Sequence, residues 1–266
     1  MSVPEPAGGR PPAVAGVFYP AESARLAATV DALLAAASRP GPAERPAALV
    51  VPHAGHRYSG PVAAAAYALV RGSSAMRAVL LGPAHFVPLA GSAVPSLSAW
   101  MTPLGPVPVD GAARDRALTV RGVHADDQPH AREHALEVQL PFLQRSAGPD
   151  LAVLPVATAA AADQVADLID AIAADPRTLV IASTDLSHHL PDADARDRDA
   201  RTIRAVLDLR PDGIPAGAAC GGHALRGLLT WAARTGRAAR LLSYRTSADA
   251  GGDPHRVVGY AAFAVG

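Results

Sequence analysis

The sequence predicts a layered α/β domain with a largely parallel central sheet, and three observations carry that prediction. Short apolar runs recur at Ala47–Val51, Ala78–Leu81, Leu151–Val156, Leu179–Ala182, Leu241–Tyr244 and Val257–Val265, with the length and composition of buried strands. Segments with apolar residues at helical spacing alternate with them, the pattern of strand–helix–strand units. Three of the runs lead directly into short stretches of His, Asp, Gly and Pro. In open parallel sheets, ligands sit at the carboxyl ends of the strands.

Taken in order, residues 1–9 are Pro/Gly-rich with no apolar segment, which predicts a loosely attached or disordered tail and no signal peptide. The remaining residues, 10–266, are expected to form a single domain. Leu26, Val30, Leu33 and Leu34 predict the first helix. The run at Ala47–Val51 opens into "PHAGHRYSG", and that at Ala78–Leu81 into "GPAHF". The Pro/Gly segments 40–46 and 103–108 read as turns. In "HAREHALE" (130–137), His130 and His134 are four apart and Glu137 three beyond, so on a helix they share one face. That stretch reads either as a zinc-like grouping or as an ordinary Glu–His capping and surface network. Val165, Leu168, Ile169 and Ile172 mark another helix. Leu179–Ala182 leads into "STDLSHH". The charged run "DADARDRDAR" (192–201) reads as the solvated face of a helix continued by Ile203, Val206 and Leu207. Leu225, Leu228, Leu229 and Ala232 predict a helix after Cys220.

Composition removes several function classes. Twenty-four basic residues balance twenty-four acidic ones, which argues against nucleic acid or an anionic membrane as partner. All the basic residues are arginine; without lysine there is no Schiff-base chemistry and no phosphate-loop Lys. No stretch reaches the roughly 18 apolar residues needed to span a bilayer. A lone cysteine makes no internal disulfide, which fits a reducing cytoplasm. H-E-x-x-H, Cys-x-x-Cys, G-x-S-x-G and G-x-G-x-x-G are all absent, so zinc-protease, hydrolase and dinucleotide readings lack their residues.

Candidate chemistry lies at the strand ends. His53 and His85 each follow a strand; either is a turn cap or a metal ligand, since neutral imidazole is a common ligand. Asp185 and His188 read as a helix-capping turn or as a carboxylate orienting an imidazole for acid–base work. Cys220 reads as a small buried apolar residue or as a ligand. Its place before a helix predicts a lowered thiol pKa, and Gly221 and Gly222 allow close approach of the backbone.

Seven segments in register, "AVAGVFYP", "VPHAGHRYSGPVAAAAY", "LLGPAHFVPL", "EHALEVQLPFL", "ASTDLSHH", "ACGGHAL" and "VVGYAAFAV", resemble the Memo family over nearly the whole chain. The bacterial and archaeal members are called AmmeMemoRadiSam system protein B. The resemblance implies a layered α/β/α single domain with a central mixed, largely parallel sheet, like that of the class III extradiol dioxygenases. Those enzymes hold non-haem iron through two histidines and a carboxylate, and in Memo-type proteins a cysteine replaces the carboxylate. It thus implies a metal site of His53, His85 and Cys220, a pocket pair Asp185 and His188, and a substrate contact at His134. Glu137, and His223 three residues past the cysteine, are further polar members of the same motifs. One transition metal ion is the implied cofactor. Exchanging carboxylate for thiolate softens the donor set, so iron, copper or zinc is accommodated. An oxidoreductase acting on an unknown small molecule or peptide, a non-catalytic copper or iron handler, and a partner of a radical-SAM protein are the implied roles. The chain departs from the family at His56, which stands where relatives carry tyrosine. Its ring is expected to face outward at a turn, or else to contact substrate or add a metal ligand.

Overall fold

Six apolar runs of the sequence become six strands of one sheet. The computed structural model describes residues 9–37, 45–72, 77–175 and 177–266. The expected tail, 1–9, therefore lies outside the described residues except for Gly9, and most of the 40–46 turn also lies outside them. The first half runs β1 (Gly9–Arg10), α1 (Ser23–Ala36), β2 (Ala48–Val51), α2 (His56–Tyr67), β3 (Arg77–Gly82), β4 (Ser92–Val94), β5 (Ala99–Thr102), β6 (Gly105–Pro108), α3 (Gly111–Ala117), β7 (Val123–Ala125) and α4 (Gln128–Ala131). The second runs α5 (Leu140–Ser146), β8 (Ala152–Thr158), α6 (Ala162–Ile172), β9 (Thr178–Ser183), β10 (His188–Leu190), α7 (Asp192–Leu207), α8 (Gly222–Arg234), β11 (Ala239–Thr246) and β12 (Val257–Val265).

Among the described residues the main sheet has nine strands in the order β10-β12-β2-β9-β3-β8-β4-β7, with β11 also paired to β12. Its centre, β2-β9-β3-β8, is parallel, while β12 and β4 join it antiparallel. The sheet is mixed and largely parallel, as expected. A small sheet of β1, β5 and β6 stands apart.

Strand periodicity sorts the side chains into two cores. Ala48, Val50, Val79, Leu81, Val180 and Ala182 face one; Leu49, Val51, Ala78, Leu80, Leu179 and Ile181 face the other. Helices α6 and α8 cover the first through Val165, Leu168, Leu225 and Leu228, and α1, α2 and α5 cover the second through Leu26, Val30, Tyr67 and Phe142. Each such fully buried side chain contributes about 1.5–3 kcal/mol. The result is the α/β/α layering. Among the described residues no helix is long and apolar enough to cross a membrane.

Two expectations are corrected. The 130–137 stretch is not one helix: α4 stops at Ala131, and only a single 3-10 turn, Glu137–Gln139, precedes α5. The 192–201 run is not simply a solvated face either. Asp199 is fully buried, accepting hydrogen bonds from the Ser187 amide and the Tyr244 hydroxyl, both 2.9 Å.

The sheet order sets the site. β2, β9 and β3 are neighbours, with Val51 beside Ser183 and Ala182 beside Leu81. Their carboxyl ends are level, so the residues that follow them meet.

Candidate metal centre

His53 leaves β2 through Pro52, and its backbone amide donates to Asp185 Oδ1 at 2.7 Å. The first residues past β9 are tied in turn to the cysteine loop. The Cys220 amide donates to Asp185 O (3.2 Å), and the Gly221 amide to Thr184 Oγ1 (2.9 Å). A Cβ on Gly221 would lie 2.3 Å from Ser183 O, so only glycine lets this loop close onto the strand end. The cysteine thereby reaches a histidine 167 positions away: Cys220 Sγ lies 3.1 Å from His53 Nε2. His85 completes the group, and donor atoms of His53, His85 and Cys220 all lie within 4.8 Å of one another.

The donors fit a metal ion. Bonds of about 2.0–2.1 Å to nitrogen and about 2.3 Å to sulfur separate the two atoms by about 3.6 Å in a tetrahedral site. Opening the 3.1 Å contact by about half an ångström meets that spacing. A metal-bound histidine needs its other ring nitrogen held, and both are. His53 Nδ1 is 3.0 Å from Ser183 Oγ, and His85 Nδ1 is 2.9 Å from Glu133 Oε1.

Glu133, not the Glu137 of the same stretch, is the glutamate that reaches the site. Its side chain is fully buried and also receives the His85 and Ala135 backbone amides, at 2.6 and 2.9 Å. Burial alone would raise its carboxyl, but these hydrogen bonds overcome it and bring the pKa down to about 2. Glu133, His85 and His134 also form a triad of metal-competent atoms. Because the carboxylate already accepts three N–H donors, one of them His85 Nδ1, it reads as the holder of the His85 ring. Glu137 has a different job. It accepts from Arg10, Tyr19 and the Ala13 and Val14 amides. Arg10, itself buried, also donates to the carbonyls of His130 and Glu133 (2.6 and 2.7 Å). This clamp shapes the loop that presents Glu133 and His134. A single Glu–His stretch carries the signal for both glutamates, but nothing local tells which one turns to the site.

The other predicted residues divide. His134 stacks on His85 (centroids 4.9 Å apart, 13° between planes) and stands edge-on to His53 at 5.5 Å, so it belongs to the cluster. Asp185 lies beside it, buried. His188 is exposed, and the hydrogen bond Asp185 Oδ1 makes is to the His53 amide, with none to the His188 ring among the described residues. His56 does not face outward: 4% exposed, its ring packs between Tyr19 and Phe142, and Nε2–H donates to Val138 O at 3.0 Å. His130 packs against Trp100 and the Ala93 carbonyl, so no His130–His134–Glu137 group forms. His223 is exposed, with Nδ1 donating to Ala160 O.

Electrostatics correct one further expectation. Burial, reinforced by the Asp185 charge, pushes the Cys220 thiol up to about 12; the helix N-terminus does not win. Burial raises Asp185 to about 6 and lowers His53 to about 3 and His134 and His130 to about 4. In the unfolded chain these histidines take protons near pH 6.5, whereas the folded protein refuses them until about pH 4 or below. Stability is therefore present above pH 6.5 and lost as pH falls, by about 1.4 kcal/mol per unit for each histidine. Asp185 acts in the opposite sense between its ordinary range and about pH 6, and offsets one of the three. Thermal unfolding of the metal-free protein is expected to drop steadily from pH 6.5 to 4.5. A flat or rising Tm across that window would refute the buried-neutral assignment.

Comparisons with known proteins converge. The family model described as Memo-like protein matches residues 10–264. A MEMO1 family protein of Methanopyrus kandleri is 37% identical, over 95% of this chain and 97% of its own length. Relatives from Methanosarcina acetivorans (36%; 96% and 98%) and Thermotoga maritima (34%; 94% and 97%) bear the same family name. Sequence motifs, family match and full-length relatives agree: the chain belongs to the Memo family.

Proposed function

We propose that this protein is a metal-dependent redox protein that holds one iron or copper ion through His53, His85 and Cys220 in a cytoplasmic setting. The observation that carries this reading is the 3.1 Å approach of Cys220 Sγ to His53 Nε2, beside a His85 ring already held at its far nitrogen. Three protein donors leave coordination open. When bound, such an ion supplies one-electron or O2 chemistry.

The chain's own residues would do the rest. Glu133 and Ser183 orient the two imidazoles. His134, kept neutral by burial, offers a ring nitrogen to a substrate beside His85. Asp185, with a pKa of about 6, takes or yields a proton close to neutral pH. Substrate class is drawn from the family resemblance: a small molecule or peptide that can be oxidised.

Anaerobic calorimetric titration with Fe(II) or Cu(I), repeated in buffers of different ionisation enthalpy, tests the site. Because the thiol holds its proton to about pH 12 while His53 is already neutral, one ion should bind per chain with release of about one proton at pH 7.5. Binding without proton release would remove sulfur from the ligand set. Admitting O2 and a catechol to the iron-loaded protein then tests turnover. Oxygen uptake supports the redox role; silence with intact binding makes the protein a metal handler instead.

A further inference from the structure

Behind His53 lies a buried chain of polar groups that the ligand set does not itself require. Tyr67, Gln139 and Ser183 are each fully buried. Tyr67 lies in α2, Gln139 just ahead of α5, and Ser183 at the end of β9. Buried polar groups are rarely left unpaired, so their directions can be worked out one by one.

Gln139 Nε2 lies 2.9 Å from Pro52 O and 3.4 Å from Ala135 O. Carbonyls only accept, so the amide nitrogen must be on that side, and Oε1 accepts from the Tyr67 hydroxyl at 2.9 Å. The second N–H of Gln139 then points to Ser183 Oγ, at 3.0 Å. Ser183 has one proton, and its shortest contact is 2.7 Å to the Ala135 carbonyl. That carbonyl accepts, so the serine proton is spent there. What remains on Ser183 Oγ is lone-pair density, one lobe filled by Gln139 and the other facing His53 Nδ1 at 3.0 Å. His53 Nδ1 must therefore be the donor.

We propose that Ser183, locked by Gln139 and Tyr67, is a positioning residue that fixes His53 as its Nδ1–H tautomer and so turns the bare lone pair of Nε2 toward Cys220 Sγ. The inference rests on the metal reading for its purpose, but not for its geometry. In the opposite tautomer Nε2 would carry a hydrogen into the 3.1 Å gap, and Nδ1 would face an oxygen with no proton to give. Two lone pairs would oppose each other between two buried side chains, leaving both pairs without a hydrogen bond. Gln139 also ties Pro52, the residue before His53, to the same serine. The orientation of the ring and its protonation pattern are thus set by one hydroxyl.

The test reads the tautomer directly. Two-bond 15N–1H correlation spectra of the metal-free protein at pH 8, with His53 assigned through His53→Gln, should show a protonated Nδ1 and a bare Nε2. Ser183→Ala should lose that pattern, giving the Nε2–H form or a mixture, and should bind Zn(II) about 10–100-fold more weakly. Ser183→Thr, which keeps the hydroxyl, should restore both. An Nε2–H tautomer in the unmodified protein would overturn the proposal whether or not the variants fold, as would an unchanged tautomer in Ser183→Ala. Should the tautomer shift as expected while the unmodified protein binds no Zn(II), the positioning role stands and the metal reading fails.

Discussion

Cys220→Ser is expected to weaken metal binding at least about 100-fold, more than the loss of any second-layer contact, which typically costs 10–100-fold. Cys220 carries the only thiol in the chain, and serine offers a harder, protonated oxygen on the same stem. The fold should be nearly indifferent. Sγ accepts from the Asp185 amide at 3.2 Å and meets His53, with longer contacts to the Asp185 carbonyl (3.6 Å) and the Thr184 hydroxyl (3.8 Å), all of which an Oγ can partly replace. Tm within a few degrees of the unmodified protein, together with lost affinity, would isolate the ligand role. Affinity within about threefold of the original would rule the sulfur out as a ligand.

Arg10→Met is expected to be the most destabilising single change near the site, by about 3–5 kcal/mol. The guanidinium sits 4.2 Å over the Trp100 ring and is 2.6 Å from Glu137 Oε2. Its removal leaves a fully buried carboxylate without its counter-charge, held only by Tyr19 and two amides, and releases the His130 and Glu133 carbonyls. For a chain of this size that corresponds to a fall in Tm of roughly 6–20 °C. Adding Glu137→Gln should recover part of the loss, because the stranded charge goes with it. A Tm unchanged in Arg10→Met would show that the clamp is not what holds the 130–137 loop.

How much of this was legible in the sequence depends on how local each cause is. Strands such as Leu179–Ala182 are buried on both faces, and their unbroken apolar runs say so directly. The level strand ends that present His53, His85 and Asp185 follow from parallel pairing, and the residue types at those ends advertised them. The meeting of Cys220 with His53 did not follow from spacing. It entered through the family resemblance, because a contact across 167 positions leaves no periodic trace.

The misreadings share that origin. His130 and His134 have helical spacing, yet Arg10 arrives from the far N-terminal end and captures the carbonyls of His130 and Glu133, and the helix breaks. Asp199 sits in a run of charge typical of a wet surface, but Tyr244 and Ser187 draw it inward. His56 turns inward because Tyr19 and Phe142 flank its ring and Val138 takes its proton. Cys220 stands before a helix, and burial still outweighs the dipole. In each case surroundings assembled by the fold, not the local sequence, decided the outcome.

X-ray absorption at the zinc edge, with one equivalent of Zn(II) as a redox-silent probe, tests the central claim most directly. A centre built from His53, His85 and Cys220 predicts one sulfur at about 2.3 Å and two imidazole nitrogens at about 2.0–2.1 Å. A shell of nitrogen and oxygen alone, unchanged by Cys220→Ser, would contradict it.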